Sequence, residues 1–230
     1  MLKNATIVFD LDGTLVDTAP DLTNTLNHVL TSRGYEAITP DRVREAVGRG
    51  ARVMIEHALA VAGADGDVEG MLAEFLAHYG THIAVESRPF PGAVAALERL
   101  RAAGARLAVC TNKSERLTHL LLRALEIDHY FAAVAGRDTH GVSKPDPRHL
   151  VAAIEGAGGD PGRAIMVGDS IVDIQAAQGA RVPSILVSFG YCPPPPEGPR
   201  PDAVIGHFDI LEEQALPLLK RLTAKARAPS

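Results

Sequence analysis

The hydrophobic pattern along this chain changes its period twice. Ile7-Val8-Phe9 is a short β-branched and aromatic run stopped by Gly13, the pattern of a buried strand. Asp10 and Asp12 project from its end. From Val16 to about Ile83 the spacing becomes helical. Leu22, Leu26, Val29 and Leu30 stripe one helix, closed by Arg33-Gly34. Thr39-Pro40 opens a second as N-cap and first helical residue. Val53, Ile55, Ala58 and Leu59 predict a third over 51–62, and Val68, Met71, Leu72, Phe75, Leu76 and Tyr79 stripe a fourth. No strand is expected across this block, which reads as a small helical bundle inserted after the first strand.

From Pro91 helix and strand alternate again. A helix over 92–103 presents Val94, Leu97 and Leu100 and ends at Gly104. A strand over 106–110 leads to a helix capped by Ser114, with Leu117, Leu120, Leu121 and Leu125 buried. Further strands are predicted over 131–135, 164–167, 184–187 and 203–205. Strands alternating with helices make a doubly wound parallel sheet. The expected architecture is therefore a Rossmann-like α/β core with an inserted helical bundle. Its core is discontinuous, residues 1–15 and 84–230, and its insertion is 16–83, with hinges at Val16 and over 83–89. The segment from Cys192 to Pro201, with successive prolines at 193–196, reads as a rigid connecting loop.

Composition narrows the chemistry. The chain has 230 residues, 46% hydrophobic and 22% charged, with a net charge of −5. Without a basic stripe to neutralise phosphates, nucleic acid is not an expected partner. No signal peptide and no membrane-length apolar run is expected, and the two cysteines, Cys110 and Cys192, form no disulfide framework. A cytoplasmic location follows as the expectation. His78 and His82 stand one helical turn apart, but no metalloprotease pattern or cysteine accompanies them. They are expected to flank the apolar stripe rather than bind zinc.

Two carboxylates at one strand end repel, so keeping both ionised requires a nearby cation. Three later segments add to the pair. One strand ends in Thr111-Asn112, a loop offers Lys144 beside Pro145, and another strand ends in Gly168-Asp169-Ser170 with Asp173 close behind. In an open parallel sheet the carboxyl ends of adjacent strands line one crevice. The set suits a Mg²⁺-bound phosphate ester. Singly, Thr111 could be a strand-end residue, Lys144 a solvated lysine, and Asp173 a first-turn helix residue stabilised by the dipole.

Taken in order, these segments resemble the four motifs of haloacid dehalogenase-superfamily phosphatases: Asp10-Leu11-Asp12-Gly13-Thr14, Thr111-Asn112, Lys144, and Gly168-Asp169-Ser170 with Asp173. Asp12 separates the chain from the dehalogenases, which lack an acid there. The stretches 9–20, 47–50 and 168–177 are most similar to the bacterial phosphoglycolate phosphatases. The resemblance implies that Asp10 is the nucleophile and Asp12 the general acid and base. It implies that Thr111 and the Asn112 N–H hold phosphate oxygens, and that Lys144 neutralises charge on the phosphoryl group. Mg²⁺ is expected on the Asp10 side chain, the Asp12 carbonyl and Asp169, with Asp173 supporting it from behind. The insertion is then a cap that chooses the substrate. Gly48-Arg49-Gly50 precedes a helix N-terminus, a setting for a substrate carboxylate, although Arg49 or Arg52 could equally be a solvated cap residue.

The implied reaction is hydrolysis of 2-phosphoglycolate through an aspartyl-phosphate, by a monomer or homodimer acting on a small phosphorylated substrate. Alternatives are a phosphatase for a sugar phosphate, nucleotide or pyrophosphate, or a β-phosphoglucomutase-like mutase. A non-catalytic module on the same scaffold would be expected to lack one of the motif residues, and none is missing.

Overall fold

The structure is a computed structural model that describes residues 2–193, 195 and 197–227. The first strand, β1 (Thr6–Phe9), alternates its side chains as a pleated strand must. Ile7 and Phe9 enter one apolar cluster and Val8 the opposite one. The chain then runs through β2 (Val16–Asp17) into four helices, α1 (Ala19–Ser32), α2 (Pro40–Arg44), α3 (Ala51–Val61) and α4 (Val68–Thr81). It returns through β3 (Arg88–Pro89), which pairs antiparallel with β2, Val16 opposite Pro89 and Asp17 opposite Arg88.

Helix and strand then alternate as α5 (Ala93–Ala102), β4 (Arg106–Cys110), α6 (Glu115–Ala124) and β5 (Ala133–Ala135). They continue as α7 (Pro147–Gly156), β6 (Ala164–Gly168), α8 (Ile171–Gly179), β7 (Ser184–Val187), β8 (Ala203–Ile205) and α9 (Leu211–Arg227). The strands form one parallel sheet in the order β5-β4-β1-β6-β7-β8. β1 lies between β4 and β6, where the strand order reverses, so the crevice opens beyond its carboxyl end.

Two apolar layers cover the sheet. Leu97 and Leu100 of α5, Leu121 and Leu122 of α6, and Leu211 and Leu218 of α9 pack with Ile7, Phe9, Val109 and Val167. On the other face Leu150 and Ile154 of α7 and Ala176 and Ala177 of α8 meet Val8, Ala108, Cys110 and Met166. A third cluster belongs to the four inserted helices, with Leu26, Leu30, Ile55, Met71, Phe75 and Tyr79 at its centre. Leu117 of α6 joins it, so the inserted helices rest on the sheet layer rather than standing clear of it.

The sequence pattern and the structure differ in three places. The block read as helices only begins with β2, which is too short to show a two-residue period and exists because β3 lies beside it. The strand expected over 131–135 starts at Ala133, because a 3₁₀ turn over Asp128–Tyr130 precedes it. Ser114 stands at the N-cap of α6 without a side-chain bond to the helix; Asp138 instead accepts from the Glu115 N–H at 2.8 Å. Of the proline run, Pro194 and Pro196 lie outside the described residues. Among the described residues, no helix is long and apolar enough to cross a membrane.

Candidate active site

Strand register brings the motif residues together. Phe9 lies opposite Val109 on one side and Val167 on the other. Asp10 therefore leaves the sheet beside Cys110 and Gly168, with Thr111 and Asp169 one step further on. All of these residues are buried. Gly13 takes a left-handed φ of +80°, and a Cβ there would stand 2.6 Å from an Asp169 carboxylate oxygen. The turn after β1 closes on Asp169 only because glycine occupies that position.

Lys144 reaches into this edge and touches two carboxylates. Its Nζ lies 2.8 Å from Asp10 Oδ1 and 2.7 Å from Asp173 Oδ1. Asp10 Oδ1 also accepts the Leu11 N–H at 2.7 Å. Asp173 Oδ2 accepts the Ser170 N–H and hydroxyl at 3.1 and 2.5 Å, closing a capping box at the start of α8. Both Asp173 oxygens are thus engaged by protein donors. That makes Asp173 a brace for Lys144 more than a free ligand.

Asp169 accepts from Thr14 Oγ1 at 3.1 Å through one oxygen and from the Tyr191 N–H at 2.8 Å through the other. Asp12 accepts from Thr18 Oγ1 at 2.8 Å and pairs with Lys113 Nζ at 2.9 Å. Sequence reasoning had not singled out Lys113, Tyr191 or Thr18. The lysine directly follows Thr111-Asn112, and that adjacency was the one available signal for it.

The edge carries an excess of negative charge. Four buried carboxylates, Asp10, Asp12, Asp169 and Asp173, face two buried ammonium groups, Lys113 and Lys144. With all four ionised, two charges stay uncompensated, the charge of one divalent cation. Asp10, Asp169 and Asp173 each offer an oxygen within 4.8 Å of the others, the single such group among the described residues. Burial pushes Asp10 up to about 8 despite Lys144, with Asp173 and Asp169 adding to the rise. Burial, then Asp173, raises Asp169 to about 6. A hard cation with oxygen ligands and retained waters fits this donor set.

Thr111 Oγ1 accepts the Lys113 N–H at 3.2 Å, and Asn112 Nδ2 bonds the Lys144 and Gly48 carbonyls, each at 3.1 Å. The Asn112 side chain thus pins the inserted helices to the sheet edge at Gly48. Gly48 and Gly50 line a cavity of about 340 Å³ that opens from Asp12 toward the insertion, with Leu22, Met54, Phe75 and Leu76 on its apolar walls. Arg49 is exposed and lies off those walls, and Arg52 is paired with Glu69. Two guanidinium groups line the cavity, Arg52 at the start of α3 and Arg137 of the loop after β5.

Comparison with known proteins fits this arrangement. The family model described as haloacid dehalogenase-like hydrolase matches residues 7–187. The chain belongs to that family. It is 46% identical over 224 residues to a phosphoglycolate phosphatase of Agrobacterium fabrum, covering 96% of this chain and 95% of the relative. It is 49% identical over 208 residues to one of Mesorhizobium japonicum, covering 89% and 92%. A crystal structure titled as a predicted phosphoglycolate phosphatase from Haemophilus somnus superposes with a TM-score of 0.84 at 29% identity, covering 93% of this chain and 98% of that one.

Elsewhere, His78 and His82 stack with His28, the successive ring centroids 4.1 Å apart. They form no ligand cluster with a third metal-binding side chain among the described residues.

Proposed function

We propose that this hydrolase removes phosphate from 2-phosphoglycolate, with Mg²⁺ held by Asp10, Asp169 and the Asp12 carbonyl and braced by Asp173. The protein is a phosphatase of the haloacid dehalogenase-like family, as its relatives at 46–49% identity are. The observation that carries the chemistry is Asp10 at the carboxyl end of the central strand, hydrogen-bonded through Oδ1 alone. Its other oxygen meets no protein donor among the described residues and is left to attack phosphorus.

The Asp10 carboxylate displaces the leaving alkoxide and becomes an aspartyl-phosphate, which water then opens. Asp12, two residues on, protonates the leaving oxygen and afterwards takes the proton from water. Lys144 offsets the charge gathering on Asp10 and the phosphoryl group, and Asp173 holds its ammonium in place. Thr111 Oγ1 and the Asn112 N–H bind non-bridging phosphate oxygens. Mg²⁺ held by Asp10, Asp169 and the Asp12 carbonyl would supply positive charge to offset the carboxylates and the phosphate oxygens.

Residues 16–83 act as a cap, and those at 48–50 set the space left for the leaving group. The enzyme works in the cytoplasm on a small substrate, alone or as a homodimer. Phosphate release from 2-phosphoglycolate, sugar phosphates, nucleotides and pyrophosphate, with and without Mg²⁺, tests the reading. The expected result is a metal-dependent preference for 2-phosphoglycolate that Asp10→Asn abolishes. Metal-dependent turnover spread evenly over the panel removes the substrate, and turnover surviving Asp10→Asn removes the nucleophile.

A further inference from the structure

Lys113 is a buried cation that the chemistry above does not use. It sits on β4's extension, and its ammonium ends at the floor of the cavity beneath α3 and α4. The side chain is 5% exposed. An ammonium donates three hydrogen bonds. One goes to Asp12 Oδ2 at 2.9 Å and one to Tyr79 Oη at 3.2 Å, with the Tyr79 ring centroid 4.6 Å away. Among the described residues no third acceptor lies within hydrogen-bond reach, so one N–H remains for a ligand. The Asp12 carboxylate at 2.9 Å balances the lysine's charge inside the fold.

Its distance from the reacting centre decides what it can bind. Asp12 must touch the ester oxygen to protonate it, and Lys113 touches Asp12. The ammonium therefore lies within two hydrogen bonds, about 6 Å, of that oxygen. A carboxylate on the carbon next to the ester oxygen has its own oxygens about 3 Å from it, one hydrogen bond short of Lys113. An anion on a longer leaving group would pass beyond Lys113, toward Arg137 and the first turn of α3.

We infer that Lys113 is the specificity-determining residue of this enzyme, binding a carboxylate on the carbon adjacent to the phosphate ester. The substrate class is then the phosphate esters of short 2-hydroxy acids. This rests on the proposed function, and it moves recognition from Arg49 of the insertion to the sheet edge. It also explains why Tyr79 is drawn to the site: a residue of α4 helps hold a lysine of the core, so the group that reads the substrate belongs to both layers at once.

The test compares kcat/KM for 2-phosphoglycolate and for ethyl phosphate, which replaces the carboxylate by a methyl group. Wild-type enzyme, Lys113→Met and Lys113→Gln are each assayed with Mg²⁺, and Lys113→Arg tests rescue by a retained charge. A charge-assisted bond of this kind corresponds to a preference of about 10- to 100-fold. The expected result is that wild type shows this preference, Met and Gln lose it, and Arg regains part of it. If wild type prefers 2-phosphoglycolate and the Met and Gln variants keep the same ratio, Lys113 does not read the carboxylate, while the proposed substrate stands. Equal loss on both esters would likewise overturn the inference, because it would mean that Lys113 only positions Asp12. If wild type shows no preference, the substrate reading fails and this inference falls with it.

Discussion

Asp10, Asp12, Asp169 and Asp173 are buried within one strand end of each other, and the fold tolerates them because each has been given donors. Among the described residues Asp169 has only Thr14 and a backbone N–H as donors, with no lysine in contact. It is therefore the carboxylate that depends most on a metal. Mg²⁺ should raise the thermal midpoint of the wild-type protein, and Asp169→Asn should remove most of that rise, measured by differential scanning fluorimetry. A different residue titrates in the opposite sense to Asp10 and Asp169. His149 of α7 is fully buried, with Nε2 against the Gly136 carbonyl at 3.0 Å and Nδ1 without a hydrogen-bond partner among the described residues. Burial, with Lys144 adding to it, lowers its pKa to about 4. Below pH 6.5 the unfolded chain binds a proton at this histidine that the folded chain refuses, so its contribution lowers stability as pH drops from about 6.5 toward 4, against the raised Asp10 and Asp169, whose protonation favours the fold over that range. That contribution should reach about 3 kcal/mol, so in urea unfolding His149→Leu should gain stability relative to wild type as pH falls from about 6.5 to about 4. These side chains were unequally legible. Asp10, Asp12, Thr111 and Asp169 follow apolar strands directly, so local sequence displays them. The Lys113–Tyr79 contact joins residues 34 positions apart, and no local pattern encodes it.

Among the elements, the two-strand ribbon of β2 and β3 was the least visible in the sequence, and two long-range contacts stabilise it. Asp21 in the first turn of α1 is buried and accepts from the Glu86 N–H, the Ser87 N–H at 2.8 Å and the Ser87 hydroxyl at 2.6 Å. Asp21→Ala leaves those donors without an acceptor in a buried site. It should cost about 3 kcal/mol in denaturant unfolding. On the other side, Tyr191 Oη donates to Asp17 and accepts from the Thr18 and Ala19 N–H groups at 2.8 and 3.0 Å. It caps α1 from a loop 172 residues away, a task the Thr18 side chain leaves undone because it bonds Asp12. Tyr191→Phe should destabilise the protein by about 1–2 kcal/mol yet leave its Mg²⁺ requirement unchanged, since the backbone N–H still holds Asp169. The longer elements were legible because their apolar periods are long. Helices α1, α3 and α4 end within two residues of their expected limits.

In the whole molecule, the sheet edge supplies nucleophile, acid and phosphate-binding groups of the proposed reaction, while the inserted helices line the cavity beside them. Among the contacts that join the two layers near the site are Asn112 to Gly48, Lys113 to Tyr79, and Leu117 within the helical cluster. The ribbon has a further consequence. Hydrogen-bonded strands lie about 5 Å apart, so the chain leaves for the helices and comes back from them at nearly the same point. A two-residue Asn-Gly turn joining Asp17 to Arg88 would close β2 and β3 into an ordinary hairpin. The shortened chain should still fold into the parallel sheet, checked by circular dichroism and by cooperative melting, with Leu117 and Leu120 newly exposed to solvent. The helices between are a cassette, interchangeable at one seam, so a lineage could acquire a new leaving-group chamber by splicing there without disturbing a single strand of the catalytic sheet.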